Sequence, residues 1–234
     1  MVSAFIDRAH AGQALAQRLM IYAHRPDTLV LALPRGGVTI GFEIARALAL
    51  PLDILVVRKL GVPGHEELAM GAIASGGIRV LNPGVIRDLG IPASVLESET
   101  QRQLREVERR EFLYRGNRPP HPVRGKTVLL VDDGLATGST MRAAIASLRK
   151  REPSRIIAAV PVGSPEACEQ IGKEADGCIC LLEPDSLQAI GLWYEDFSQV
   201  EDSQVRQMLD QLAQLEECAE ETPIAATSAR TVVS

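Results

Sequence analysis

Two adjacent carboxylates, followed by a run of small and hydroxyl-bearing residues, define the chemistry this chain could do. Asp132 and Asp133 stand directly after Val128-Leu129-Leu130-Val131, and Gly134-Leu135 leads on into Ala136-Thr137-Gly138-Ser139-Thr140. Ionised carboxylates only accept hydrogen bonds. The pair therefore suits sugar hydroxyls or a hard cation, and repels a phosphate laid directly on it. The small residues and hydroxyls come just before a helical pattern, and backbone amides at a helix N-terminus cradle anions. A sugar phosphate meets both demands, with ribose hydroxyls on Asp132 and Asp133 and the phosphate in the loop 136–140.

The surrounding elements must hold that stretch in place. The unbroken apolar run 128–131 reads as a strand buried on both faces. It puts the two acids at a carboxyl strand end, where open α/β sheets bind ligands. Upstream, the pattern predicts a helix over 5–23, a strand over 28–33, a helix over 38–48 and a strand over 52–57. Residues 58–67 are polar, with Gly and Pro punctuation, and read as a mobile loop. Short strands over 70–74 and 78–81 form a hairpin through Ser75-Gly76-Gly77. Helices follow over 83–89 and 94–115, the second highly charged and read as solvated, with Glu106–Arg110 and Glu111–Arg115 in the favourable i, i+4 order. A Pro-rich connector over 116–122 reaches the central strand. Helix 141–150, strand 156–162, helix 165–175, strand 178–182 and helix 202–217 complete the chain. This alternation predicts an α/β fold, mostly a parallel sheet flanked by helices.

Three further features could carry function. Pro34-Arg35-Gly36-Gly37 joins a strand to a helix: the glycines permit unusual backbone angles and close approach of a ligand, and Arg35 offers a planar fork of donors for phosphate oxygens. The chain has one Trp, three Tyr and four Phe, and Trp193, Tyr194 and Phe197 cluster at its far end, where they could stack on a planar ring or pack together. Cys178 and Cys180 share one face of their strand and read as buried free thiols, with a metal or redox role as the alternative.

Composition narrows the classes. Apolar residues make up 46% of 234, enough for a full, largely aliphatic core. A net charge of −5 without a basic block argues against general nucleic-acid binding. No apolar run is long enough to span a membrane, and residues 1–8 lack the pattern of a signal peptide, so a cytoplasmic protein is expected.

The stretch 128–140, four apolar residues, two acids and Thr137-Gly138-Ser139-Thr140, resembles the 5-phosphoribosyl 1-diphosphate (PRPP) motif of type I phosphoribosyltransferases. The resemblance extends over about 28–197, carried next by 32–37 and 58–64. It implies transfer of the 5-phosphoribosyl group of PRPP to a nitrogenous base with release of diphosphate, and Mg²⁺ held mostly through substrate, with Asp132 and Asp133 beside it. By the same resemblance Ala136, Thr137, Gly138, Ser139 and Thr140 bind the phosphate, Arg35, Gly36 and Gly37 the diphosphate, and Arg58 and Lys59 begin a loop that closes over the site. Trp193 or Tyr194 would lie over the base. A single domain over 1–218 is implied, with a core over about 28–182, a hood over about 183–201 and a helical insertion, followed by a disordered tail over 219–234. A homodimer is the expected assembly. Enzymes for 6-oxopurines carry an Asp at the position of Ala136, so the pattern is nearer the adenine type. The adenine enzymes' Ser-rich loop continuation is replaced here by Glu66 and Glu67. The alternative implied by the same fold is a regulator that binds PRPP or a nucleotide without turnover.

Overall fold

The structure is a computed structural model that describes residues 4–220; of Glu66, Glu67 and residues 217–220 it gives the backbone alone. Helix α1 (Arg8–Arg18) starts at Asp7, whose carboxylate accepts from the His10 amide at 2.7 Å. Strand β1 (Thr28–Ala32), helix α2 (Gly36–Leu48) and strand β2 (Leu52–Ile54) follow. The chain then leaves the main sheet for β3 (Val57–Val62), β4 (His65–Ala74), β5 (Ile78–Leu81), α3 (Pro83–Asp88) and α4 (Ala93–Arg115). It returns through β6 (Thr127–Val131), α5 (Ser139–Arg149), β7 (Arg155–Val162), α6 (Pro165–Glu174) and β8 (Cys178–Leu182), and α7 (Asp202–Glu220) closes the described chain. The expected tail is entered by α7 as far as Glu220, and 221–234 lie outside the described residues.

The main sheet has the order β2-β1-β6-β7-β8 and every pairing in it is parallel. Strand order therefore reverses between β1 and β6, and the loops leaving these two neighbours flank the crevice where such sheets take ligands. Side chains alternate across the sheet as strand geometry requires. Val30, Ala32, Leu129, Val131 and Ile157 belong to the core under α1, α2 and α7, while Leu29, Leu31, Val128, Leu130 and Ile156 belong to the core under α5 and α6. Helices on both faces explain why the central strands are apolar without a break.

The expected mobile loop over 58–67 is instead an antiparallel hairpin in a second, three-stranded sheet, with Arg58 opposite Ile73 and Lys59 opposite Ala72. Leu60, Val62, Met70 and Ile73 are buried and anchor it, while Pro63-Gly64 is its turn. A register shift beside Gly61 masks the alternation that would have marked the strand. Helix α4 is likewise less solvated than its charge implies. Val107 and Tyr114 are fully buried, and Arg115 turns from the surface to meet Asp53 at 2.9 Å. On its wet side Glu106 accepts from Arg109 and Arg110, which hold its carboxyl near pKa 2.

Candidate active site

The carboxyl ends of β1 and β6 meet at close range. The Leu33 amide donates to the Val131 carbonyl at 2.9 Å, so the two strands stay paired to the point where their loops begin. After β6 the chain runs through Asp132 and Asp133 into a turn pinned to β7: Leu135 donates to the Val162 carbonyl and Ser164 donates back to the Leu135 carbonyl, both at 2.9 Å. The Ser164 hydroxyl also donates to the Ala136 carbonyl at 3.0 Å. Gly138 precedes α5 with φ of 71°, a left-handed conformation that glycine adopts without a steric penalty. Among the described residues, the amides of Ala136, Thr137 and Gly138 have no hydrogen-bond partner, and Ala136, Thr137 and Thr140 are exposed. A cavity of about 220 Å³ is lined by residues 132–141 and by Ile190.

The two acids differ in environment. Asp132 turns inward and accepts from the Asp133 amide at 2.9 Å. Burial, with the adjacent Asp133 carboxylate, pushes its carboxyl well above the ordinary range. Asp133 is held by Arg8 of α1, whose Nε donates to its Oδ2 at 2.8 Å. The Arg8 and Asp133 side chains are 10% and 19% exposed, so this pair is shielded from solvent. Arg8 also donates to the Ser198 carbonyl at 2.8 Å and stacks 3.7 Å above the Phe197 ring. Nothing local to the acidic pair in the sequence points to Arg8, which lies in a helix where an arginine reads as solvent-facing.

The Pro34–Gly37 loop packs directly beneath Asp133. A Cβ on Gly36 would lie 1.9 Å from Asp133 Oδ2, and one on Gly37 would lie 2.8 Å from the Val131 carbonyl. Neither glycine has a positive φ: both open α2 with helical geometry. The expected need for unusual backbone angles is therefore replaced by a need for space. The Arg35 guanidinium lies 3.8 Å from Asp202 at the start of α7. Asp202 in turn accepts from the Tyr114 hydroxyl at 2.6 Å, and burial helps push that phenol up to about 12. Arg35 lines neither the loop cavity nor the larger one beside it.

That larger cavity, about 750 Å³, brings Arg58 and Lys59 of β3 opposite Thr140, with Glu99, Arg102 and Gln103 of α4 along its wall. Arg58 donates to Gln103 at 3.0 Å. Of the two aromatics expected over a base, Tyr194 is buried: it packs on Phe5 and Phe197, and its hydroxyl donates to the Asp133 carbonyl at 2.7 Å. Burial and the nearby Asp133 carboxylate raise its phenol pKa. Trp193 is half-buried against the same core. Ile190, three residues earlier, covers Gly134 and reaches the cavity. Sequence reasoning misses Ile190 because an isolated isoleucine after the last strand carries no chemical signal.

A model described as "Phosphoribosyl transferase domain" matches residues 6–194, and the chain belongs to that family. It is similar to "Putative phosphoribosyl transferase Rv0571c" of Mycobacterium tuberculosis (strain ATCC 25618 / H37Rv), with 42% identity over 206 residues. That match covers 88% of this chain and 46% of the relative, so the chain spans less than half the relative's length. The crystal structure of TT1426 from Thermus thermophilus shares the fold, with a TM-score of 0.80, 41% identity, and coverage of 89% of this chain and 98% of that one. Among the described residues no helix is long and apolar enough to cross a membrane.

Proposed function

We propose that this protein transfers the 5-phosphoribosyl group of PRPP to a nitrogenous base. The bond from the ribosyl carbon to the diphosphate oxygen breaks, a bond to a ring nitrogen forms, and the base gives up a proton. One observation carries this reading: unpartnered loop amides and an acidic pair face a single cavity at the strand-order reversal. The amides of Ala136, Thr137 and Gly138, with the hydroxyls of Thr137, Ser139 and Thr140, bind the 5-phosphate. Asp132 and Asp133 take the ribose hydroxyls, and their negative potential favours the positive ribosyl centre. Arg58 and Lys59 lie across the adjoining cavity, where the leaving diphosphate would need cations. Arg35, beside Gly36 and Gly37, reaches that diphosphate only by leaving Asp202.

The donor set fits Mg²⁺: it is all oxygen, with one carboxylate turned inward and the other committed to Arg8, so the ion would rest mainly on substrate oxygens with Asp132 and Asp133 beside it. When bound, it supplies charge neutralisation to the leaving diphosphate. The β3–β4 hairpin, carrying Arg58 and Lys59, walls the cavity and so helps keep water from the ribosyl centre. Ile190 packs on the base side of the cavity and Trp193 is the aromatic available to stack there. Ala136, in place of an acid, favours an adenine-type base over a 6-oxopurine.

A second reading, a PRPP- or nucleotide-binding regulator without turnover, draws on the Arg8–Asp133 pair, which occupies one acid. Incubation with PRPP, Mg²⁺ and a panel of bases, following diphosphate release, separates the two. Base-dependent release is expected. Tight PRPP binding with no release for any base would favour the regulator.

A further inference from the structure

On the far side of the phosphate loop, α6 and β8 bring sulfur together. Cys168 comes from α6, Cys178 and Cys180 from one face of β8, and Glu183 follows the strand. The Cys168 and Cys180 sulfurs and a Glu183 carboxylate oxygen all lie within 4.8 Å of one another. Ligands around a tetrahedral zinc stand roughly 3.4–3.8 Å apart, given metal–sulfur bonds of about 2.3 Å and metal–oxygen bonds of about 2.1 Å. Modest side-chain rotation would bring these three into that range. We propose that Cys168, Cys180 and Glu183 form a zinc-binding site.

Three observations set this cluster apart from ordinary core cysteines. It opens to solvent, because Cys178 and Cys180 are half-buried and Glu183 is exposed, where the sequence alone suggests buried thiols. Its floor is Gly163, where a Cβ would stand 2.6 Å from the Cys168 sulfur and 3.4 Å from that of Cys180, so a side chain there would fill the space between them. Among the described residues, no lysine or arginine pairs with Glu183 or with these sulfurs; Cys180 donates only to the Leu182 carbonyl, at 3.1 Å. A set of donors that carry negative charge on binding thus lacks a fixed cation. Thiolates select zinc and other soft ions over Mg²⁺, so a metal here would not compete for the ion of the active site.

The site would also brace the phosphate loop. Gly163 pairs with Leu135, Ser164 bonds to the Leu135 and Ala136 carbonyls, and α6 starts at Pro165. A metal joining Cys168 to Cys180 would tie this helix to β8 directly beneath Ala136–Gly138. This inference stands on the thiol cluster and does not depend on phosphoribosyl transfer.

The test is titration of the reduced, chelator-treated full chain with Co²⁺. One equivalent should give intense thiolate-to-cobalt charge-transfer bands and the visible spectrum of a tetrahedral ion, both abolished by one equivalent of Zn²⁺. The double variant Cys168→Ser/Cys180→Ser should lose the charge-transfer bands, and Glu183→Gln should keep them with affinity lowered roughly tenfold or more. A spectrum without charge-transfer bands in the unsubstituted protein overturns the proposal, and that measurement decides the matter even where a variant fails to fold. Bands that persist in the double cysteine variant overturn it equally. So does a Cys168–Cys178 or Cys168–Cys180 disulfide as the resting state of protein that, once reduced, binds no cobalt.

Discussion

The loops that leave β1 and β6 lie side by side, yet they are built in opposite ways. After β6 the chain is open: Ala136, Thr137 and Thr140 are exposed, and three successive amides have no partner among the described residues. After β1 it is packed shut, since neither Gly36 nor Gly37 has room for a side-chain carbon and Arg35 is drawn toward Asp202. Both stretches read alike as small-residue turns before a helix. One leaves donors free for an anion, whereas the other supports the acid that stands over it. Glycine in a ligand loop can therefore serve the protein's own packing.

Substitutions can break this contrast. The largest effect is expected for Arg8→Ala, which leaves the shielded Asp133 carboxylate unpaired between the two loops; urea unfolding should show a loss of about 3 kcal/mol, near the lower end for a broken buried pair. Next comes Gly36→Ala. Its methyl group must displace Asp133, and a shift of about 1 Å in a positioning group can lower turnover roughly a hundredfold. Diphosphate-release kinetics would measure this, and near-normal kcat/KM would show that the β1 loop does not support the acid. On the open side, Thr140→Val should weaken PRPP binding by about 1–3 kcal/mol in calorimetry while leaving stability within about 0.5 kcal/mol.

The smallest effect sharpens the contrast through pH. The Asp132 carboxyl is raised in the folded chain, so its contribution is present below the ordinary carboxylate range and is lost as pH rises through the folded value. Asp132→Asn keeps the acceptor for the Asp133 amide and removes the titration. It should be more stable than the wild type near neutral pH, with the difference vanishing below about pH 4. Equal stability across that range would mean that Asp132 is not desolvated. The same variant should lose PRPP turnover, the trade expected where function holds a charge in an unfavourable place.

Much of this arrangement is legible in the residues. The run 128–131, its acids and the loop to Thr140 are contiguous, so their pattern survives without any knowledge of tertiary contacts. The buried face of α4 is hidden because Val107 and Tyr114 lie two turns apart in a charged sequence. The β3 strand is hidden by the bulge beside Gly61. Arg8 is not legible at all, because it meets Asp133 across 125 residues, and only the need of two adjacent acids for a counter-charge hints at such a partner. Trp193 and Tyr194 read as neighbours of which one must pack inward, but only packing could assign that place to Tyr194.

The clamp on Asp133 also has a consequence for how the molecule is made. Phe5 donates to the Trp193 carbonyl, and Glu195 and Asp196 donate back to the carbonyls of Phe5 and Ile6. Arg8 is fastened by Ser198 and Phe197 as well as by the acid it holds. During translation residues 5–8 emerge before any strand of the parallel sheet, and their partners at 193–198 emerge after all of them. A ribosome-bound chain that has released β8 therefore already contains both loops, yet Arg8 still lacks the carbonyl and aromatic ring that fix it in place. The binding crevice is completed only when these two distant segments join, so it cannot form before residues 193–198 have left the ribosome.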